Sequence, residues 1–325
     1  MPSSTSSSEA AAPSVARAGK REIAVVLALL ALLYTSFELA TRFGVARLSK
    51  ITSRVEAERR QTMQVKNGQK AELLILGNSL LEAAIQIPKV KEALAPDWNV
   101  TRYVVEQTSY LDWYYGMRKI LDAGARPDVV ALSLTARNIT TSAVRGDYFA
   151  YYLMQPSDLP DIQSRLRLHP TEASNYLFSN ISQFYGLKSE IRKVVLGRLM
   201  RDMSKLTPVL TRVTRPPLYE ADVRSIALRR LQDCKEVAEA HGARFVLLVP
   251  PVQANDYTDT LLEVGASIGV PVIAPRPPGL SSQHYTDGYH LGPVGAGMYT
   301  EELLGPLRQI LASWHTEVRR AAATK

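Results

Sequence analysis

Ser79, Asp287 and His290 are the side chains whose types and spacing could do chemistry together. A serine hydroxyl is a weak nucleophile until a base takes its proton, and an imidazole is suited to that task. Asp287 and His290 stand three residues apart in Tyr285-Thr286-Asp287-Gly288-Tyr289-His290-Leu291-Gly292. That spacing lets the carboxylate fold back onto one imidazole nitrogen and leaves the other pointing outward. Ser79 ends Leu73-Leu74-Ile75-Leu76-Gly77-Asn78-Ser79, an apolar run that stops at Gly-Asn-Ser and then changes to helical spacing. A buried strand ending this way puts its first polar side chains at the carboxyl edge of a sheet, where open α/β folds place their ligands. A serine starting the next helix would have free backbone N–H groups beside it, which favour developing negative charge. Each fragment is common by itself. The chemistry requires that all three side chains converge at one sheet edge.

The pattern along the chain supplies such an edge. After Ser79 the residues 80–95 have helical spacing and stop before Pro96. Residues 101–106 read as a second strand, with Gln107-Thr108-Ser109 as its exit loop, and residues 111–123 as a helix carrying Trp113, Tyr114 and Tyr115. Residues 128–134 read as a third buried strand with Thr135–Asn138 at its exit. The alternation resumes with a helix at 218–241, a strand at 244–249, a helix at 258–268, a strand at 270–274 and a last helix at 296–314. Strands alternating with helices mean parallel pairing and right-handed crossovers. The expected fold is therefore α/β with a parallel sheet of about five strands. Residues 139–218 interrupt it with aromatic and basic helical stretches, read as a helical insertion that serves as packing, lid or docking surface. Its cluster Tyr148, Phe149, Tyr151 and Tyr152 could fill a core or line a site.

Residues 1–19 are rich in Ser, Ala and Pro and read as a disordered leader. Lys20 and Arg21 then precede the apolar run 23–40, whose one charge is Glu38. Its length is just enough to span a bilayer. A cleaved signal peptide is the alternative, but no small-x-small site follows and a long leader precedes it. We therefore read residues 20–42 as an uncleaved signal anchor, followed by a helical stalk at 43–69, the α/β domain at 70–318 and a tail at 319–325. Arg17, Lys20 and Arg21 before the span are nearly balanced by Arg42, Arg47, Lys50 and Arg54 after it, so charge does not orient it.

The chain of 325 residues carries a formal net charge of +8. The excess lies near the N-terminus, in 192–230 and at the C-terminus, and no basic-aromatic motif accompanies it. That fits an anionic surface such as lipid headgroups rather than nucleic acid, which is not an expected partner. The single Cys234 excludes an internal disulfide framework and a cysteine-based metal site. No glycine-rich phosphate loop and no further His/Cys/Asp cluster is present, so neither cofactor nor metal is expected. His169, His241, His284 and His315 read as surface or helix-end residues.

The block LLILGNSL near the first strand and the block DGYHLGPVGAGMY before the last helix together resemble the SGNH/GDSL family of serine hydrolases and acyltransferases. The resemblance covers about residues 71–138 and 220–315. It implies a three-layer, flavodoxin-like domain in which Ser79 is the nucleophile and Asp287 and His290 complete the triad. It also implies oxyanion donors at Ser79, Ser109 and Asn138. The middle of the chain departs from the family pattern. Many members have Asp where this chain has Asn78, and their second block has a glycine where this chain has Gln107-Thr108-Ser109. In place of their Gly-x-Asn-Asp turn this chain has Thr135-Ala136-Arg137-Asn138. A membrane span ahead of such a domain resembles the SGNH proteins that work beside membrane-bound O-acyltransferases, in lipoteichoic-acid D-alanylation and polysaccharide O-acetylation. That likeness implies acyl transfer to or from a glycan at the outer face of a bacterial inner membrane, with a membrane-bound O-acyltransferase as partner. A non-catalytic scaffold of the same fold is the alternative expectation.

Overall fold

Five parallel strands run through the centre of the molecule in the order β2-β1-β3-β4-β5. They are β1 (Ala71–Gly77), β2 (Trp98–Val104), β3 (Val129–Ser133), β4 (Arg244–Leu248) and β5 (Val272–Ile273). This is the flavodoxin-like order, with its switch point between β1 and β3. The computed structural model describes residues 19–45, 49–66, 68–199, 218–253 and 256–323.

Side chains along each strand alternate between two apolar layers. Leu74, Leu76, Val130, Leu132, Phe245 and Leu247 face one layer, under α5 (Tyr110–Asp122), α12 (Glu220–Ala240) and α13 (Thr258–Ser267). Leu73, Ile75, Val129, Ala131, Val246 and Leu248 face the other, under α3 (Ser79–Ala84), α4 (Ile87–Leu94) and α14 (Pro293–Ala323). Burial on both faces explains why β1 and β3 read as unbroken apolar runs.

Several boundaries differ from the sequence reading. The single helix expected at 80–95 is two, α3 and α4, broken at Ile85, whose φ of −112° and ψ of 116° are extended. Pro88 cannot donate the backbone bond a continuous helix would need there. Gln86 N–H instead donates to Thr300 Oγ1 of α14 at 3.0 Å, so the break is fastened to the last helix. β2 begins at Trp98 and stops at Val104, earlier than expected, because the chain turns at Gln107, whose φ is +59°. α14 runs on to Ala323, so residues 319–323 continue a helix rather than form a separate tail.

The expected stalk is not free-standing. Its helix, α2 (Lys50–Thr62), buries Thr52, Val55, Glu58 and Thr62 along one face against the edge strand β2. Glu58 accepts from Arg102 Nε at 2.9 Å and from the Val104 backbone N–H at 2.8 Å. That carboxylate occupies an edge N–H which would otherwise invite another strand. Arg54 bridges Glu82 of α3 and Glu106 just beyond β2.

The insertion comprises α6 (Ala136–Thr140), α7 (Gly146–Tyr152), α8 (Leu159–Leu166), α9 (Pro170–Ile181), α10 (Gln183–Gly186) and α11 (Lys188–Leu199). Tyr152 is buried and Tyr151 half-buried, with their rings 4.9 Å apart, so this part of the aromatic cluster belongs to the core. The side chains of Tyr148 and Phe149 lie outside the described residues, as do the leader 1–18 and residues 200–217. α1 (Lys20–Ala40) continues through one π-helical turn to Val45. It is long and apolar enough to cross a membrane, and Lys20–Ala40 holds no fully buried residue, with Glu38 half-buried near its end.

Candidate active site

The turn after β1 sets Ser79 at the first position of α3. Gly77 is required by close approach: a Cβ there would lie 2.9 Å from Ser133 O and 3.0 Å from Leu81 Cβ. Asn78 is the N-cap, and its Oδ1 accepts from the Leu80 N–H at 3.0 Å. Its Nδ2 donates to Thr108 O at 2.9 Å, which ties the β1 turn to the β2 loop. An aspartate could fill the first role but not the second, since an ionised carboxylate has no proton to give. Asparagine at 78 thus has a local cause. At the first helical position, the Ser79 N–H has no intrahelical acceptor.

Asp287 and His290 sit on a small loop between β5 and α14. An isolated antiparallel bridge joins Tyr285 to Leu291, and the Thr286 N–H donates to His290 O at 2.9 Å. Gly288 takes a φ of +76°, a conformation glycine adopts without a Cβ penalty. Asp287 Oδ1 accepts the backbone N–H groups of Tyr289 at 3.0 Å and His290 at 2.7 Å. Its Oδ2 lies 2.7 Å from His290 Nδ1. The Gly292 N–H donates to His284 O at 2.7 Å, and at Gly295 a Cβ would meet the same oxygen at 2.9 Å. Glycine at 295 is therefore what lets the start of α14 lie directly against the loop.

The two segments meet. Ser79 Oγ lies 2.9 Å from His290 Nε2, across 211 residues of sequence. Since ionised Asp287 only accepts, Nδ1 carries the imidazole proton and Nε2 presents its lone pair to the Ser79 hydroxyl. Desolvation by itself would raise the Asp287 carboxyl; the His290 and Tyr289 N–H groups and the imidazole outweigh it and hold Asp287 below the usual carboxylate value. Ser79 is half-buried and the His290 side chain is 30% exposed, so the Oγ–Nε2 pair can be reached from solvent. The Tyr289 ring stands edge-on to the imidazole at 5.4 Å.

The remaining expected donors divide. Ser109 is unsuited to hold an oxyanion. Its N–H donates to Asp112 Oδ2 at 2.7 Å and its hydroxyl lies 3.2 Å from the same oxygen and 3.0 Å from Ala143 O. The reason is its place as N-cap of α5, where the Asp112 carboxylate claims the N–H, while the hydroxyl is taken by the same carboxylate and by Ala143 O. Asn138 Oδ1 accepts from Thr135 Oγ1 at 2.8 Å, and its Nδ2 is unbonded among the described residues. Burial pushes Asp112 up to about 6, against the opposing N–H bonds from Arg145 and Ser109, the Ser109 hydroxyl and the Arg145 charge.

Three of the other histidines are helix-end residues. His169 caps α9, His284 Nδ1 accepts from the Ser281 N–H at 3.0 Å, and His241 closes α12 with Nε2 3.0 Å from Asp122. The side chain of His315 lies outside the described residues. Among the described residues, no three His, Cys, Asp or Glu side chains gather as a metal ion would require. Cys234 is buried, and burial pushes its thiol well above the usual value. Sequence reasoning missed the Asn78–Thr108 bond and the grip of Arg54 on the site helix. Both partners of each are distant in sequence, so spacing gives no signal for them.

No family model matches the sequence, and no curated protein matches it. Thirteen chains among solved structures do match. One, titled "Crystal Structure of TesA", is 11% identical, covers 73% of this chain and 98% of its own, and superposes with a TM-score of 0.35. A likeness of that degree carries no information about chemistry.

Proposed function

We propose that this protein is a membrane-anchored serine acyltransferase or esterase acting on O-acyl groups of a cell-envelope or exported polysaccharide. The observation that carries the reading is the continuous line from Ser79 Oγ through the His290 imidazole to Asp287, with contacts of 2.9 Å and 2.7 Å. In this reading Nε2 of His290 takes the Ser79 proton as Oγ bonds to the acyl carbonyl carbon. The Ser79 N–H and Asn138 Nδ2 are the donors for the oxyanion. The leaving oxygen departs with the proton held on His290, and an acyl-Ser79 ester remains. A glycan hydroxyl or water then gives its proton to His290, attacks the ester carbonyl, and Ser79 recovers its hydroxyl. Asp287 holds the tautomer and stabilises the imidazolium formed in each half. Transferase and esterase share these residues and differ in which acceptor reaches the acyl-enzyme; the anchor favours transfer to a glycan, beside a membrane-bound O-acyltransferase that supplies the acyl group.

Replacing Ser79 by alanine should lower kcat/KM on p-nitrophenyl acetate by about 10³-fold or more without altering the melting curve. Unchanged turnover would overturn the reading. The diversion of Ser109 to helix capping favours one rival, an SGNH-type scaffold that binds a glycan or a membrane partner without catalysis. A fluorophosphonate that labels the wild-type protein at Ser79 excludes the scaffold, and no labelling supports it.

The anchor reading is supported by Glu38, the charge in the apolar run. Its carboxylate accepts from Ser182 Oγ at 2.7 Å and from the backbone N–H groups of Gln183 at 2.9 Å and Phe184 at 3.0 Å. A signal sequence removed after export would leave those donors without their acceptor. On this reading the α/β domain lies outside the cytoplasm of a bacterial cell, tethered to the inner membrane.

A further inference from the structure

The end of α1 is bonded to the insertion, and the surface around that joint is apolar. Phe184 of α10 stacks on Phe37 with centroids 5.2 Å apart and meets the Tyr34 ring edge-on at 6.1 Å. On α9, Phe178 and Ile181 are one turn apart and 50% and 56% exposed. The Phe178 ring is 5.8 Å from Tyr185, whose own ring lies 3.8 Å beneath Lys188 Nζ. Arg192, one turn further along α11, is exposed. Tyr34, Phe37 and Phe184 thus form one ring group on the side of α1, and Tyr185, next in sequence to Phe184, meets Phe178 on α9; Lys188 and Arg192 follow on α11, where they line a groove with Glu172 and Asn175.

The depth of this surface follows from α1. Lys20 to Phe37 spans about 26 Å at 1.5 Å per residue, close to the thickness of a bilayer's hydrocarbon core. Phe37 therefore falls at the far boundary of a span that begins at Lys20, and Glu38 fixes the insertion at the same level. Aromatic rings with basic neighbours are the composition of the headgroup–acyl boundary. Two exposed apolar side chains on a helix end, held at that level by hydrogen bonds to the anchor, would otherwise face water.

We propose that the α9–α10 corner of the insertion is a membrane-interface platform: Phe178 and Ile181 enter the headgroup–acyl boundary, and Lys188 and Arg192 lie against anionic lipid phosphates. The proposal rests on α1 being an uncleaved anchor. It makes the domain a body seated on the lipid surface at two linked points rather than one swinging on a tether.

The test uses the full chain in nanodiscs of phosphatidylcholine and phosphatidylglycerol. Single variants Phe178→Cys, Ile181→Cys, Leu33→Cys and Leu228→Cys carry an environment-sensitive fluorophore; buried Cys234 does not compete for it. Leu33 reports the anchor, and Leu228, 44% exposed on α12, reports water. Labels at 178 and 181 should be blue-shifted and lose most of their emission to lipids bearing a nitroxide near the headgroup, while the label at 228 responds only to aqueous iodide. Iodide quenching at 178 and 181, with lipid quenching kept at 33, overturns the platform and leaves the anchor standing. Iodide quenching at 33 as well overturns the anchor reading. Protection of 178 and 181 from both quenchers points to a protein on that face and overturns the bilayer as its occupant.

Discussion

Asn78 shows how much one amide decides. Its Oδ1 caps the helix that carries Ser79, and its Nδ2 holds Thr108 O. Aspartate is as good a cap, so Asn78→Asp isolates the second bond and sets a carboxylate against a carbonyl oxygen. The variant should lose about 1–3 kcal/mol of stability in urea titration at neutral pH, with activity falling as the Ser79 turn loosens. At this scale the sequence was informative about Ser79, Asp287 and His290, because an abrupt end to an apolar run and an Asp-x-x-His spacing are local signals. It was misleading about Ser109, which looks like any polar loop-end residue until Asp112 is seen to claim its N–H and hydroxyl. The cause of asparagine at 78 was equally hidden, since Thr108 is 30 residues away.

At the level of elements, the loop from Gln107 to Asp112 is held by a carboxylate that burial destabilises when charged. Asp112, pushed up to about 6, keeps its proton more tightly in the folded protein than in the unfolded chain. Folded stability from this group is therefore greatest below the ordinary carboxylate value of about 4 and declines as pH rises through about 6. Denaturation midpoints measured across that interval should fall with rising pH, and Asp112→Asn should flatten the decline. The strands were legible because both faces of the sheet are covered, so the central residues of β1, β3 and β4 are apolar. α2 was legible as a helix but not as part of the domain. Its charges suggest a solvated stalk, yet Glu58 is spent on Arg102 and Val104, 44 and 46 residues away. The break between α3 and α4 was signalled by Pro88, and the bond to Thr300 that stabilises it was not.

Over the whole molecule, Glu38 joins the apolar helix to the insertion, and its removal should be felt in both. Glu38→Ala leaves the Ser182 hydroxyl and two backbone N–H groups without their acceptor. The full-length variant in detergent should be less stable by about 1–3 kcal/mol in thermal or denaturant unfolding, while the Ser79–His290 contact, made on other elements, keeps turnover close to wild type at low temperature. A variant as stable as wild type would mean that these bonds are not made in the assembled protein. The order of the elements could be read from the alternation of strand and helix. How the insertion sits against α1 could not, because a carboxylate in an apolar run says only that it needs partners.

The loop from Tyr285 to Leu291 carries both Asp287 and His290, closed on itself by its own backbone bonds and seated on the start of α14. His290 and Asp287 are therefore one cassette, whereas Ser79 rides on a separate element, the first turn of α3. Breathing of that loop stretches a single separation, the one between hydroxyl and imidazole, and leaves the Asp287–His290 contact within the cassette intact. Whatever presses the cassette toward β1 or lets it drift would therefore open or close the Ser79–His290 contact alone.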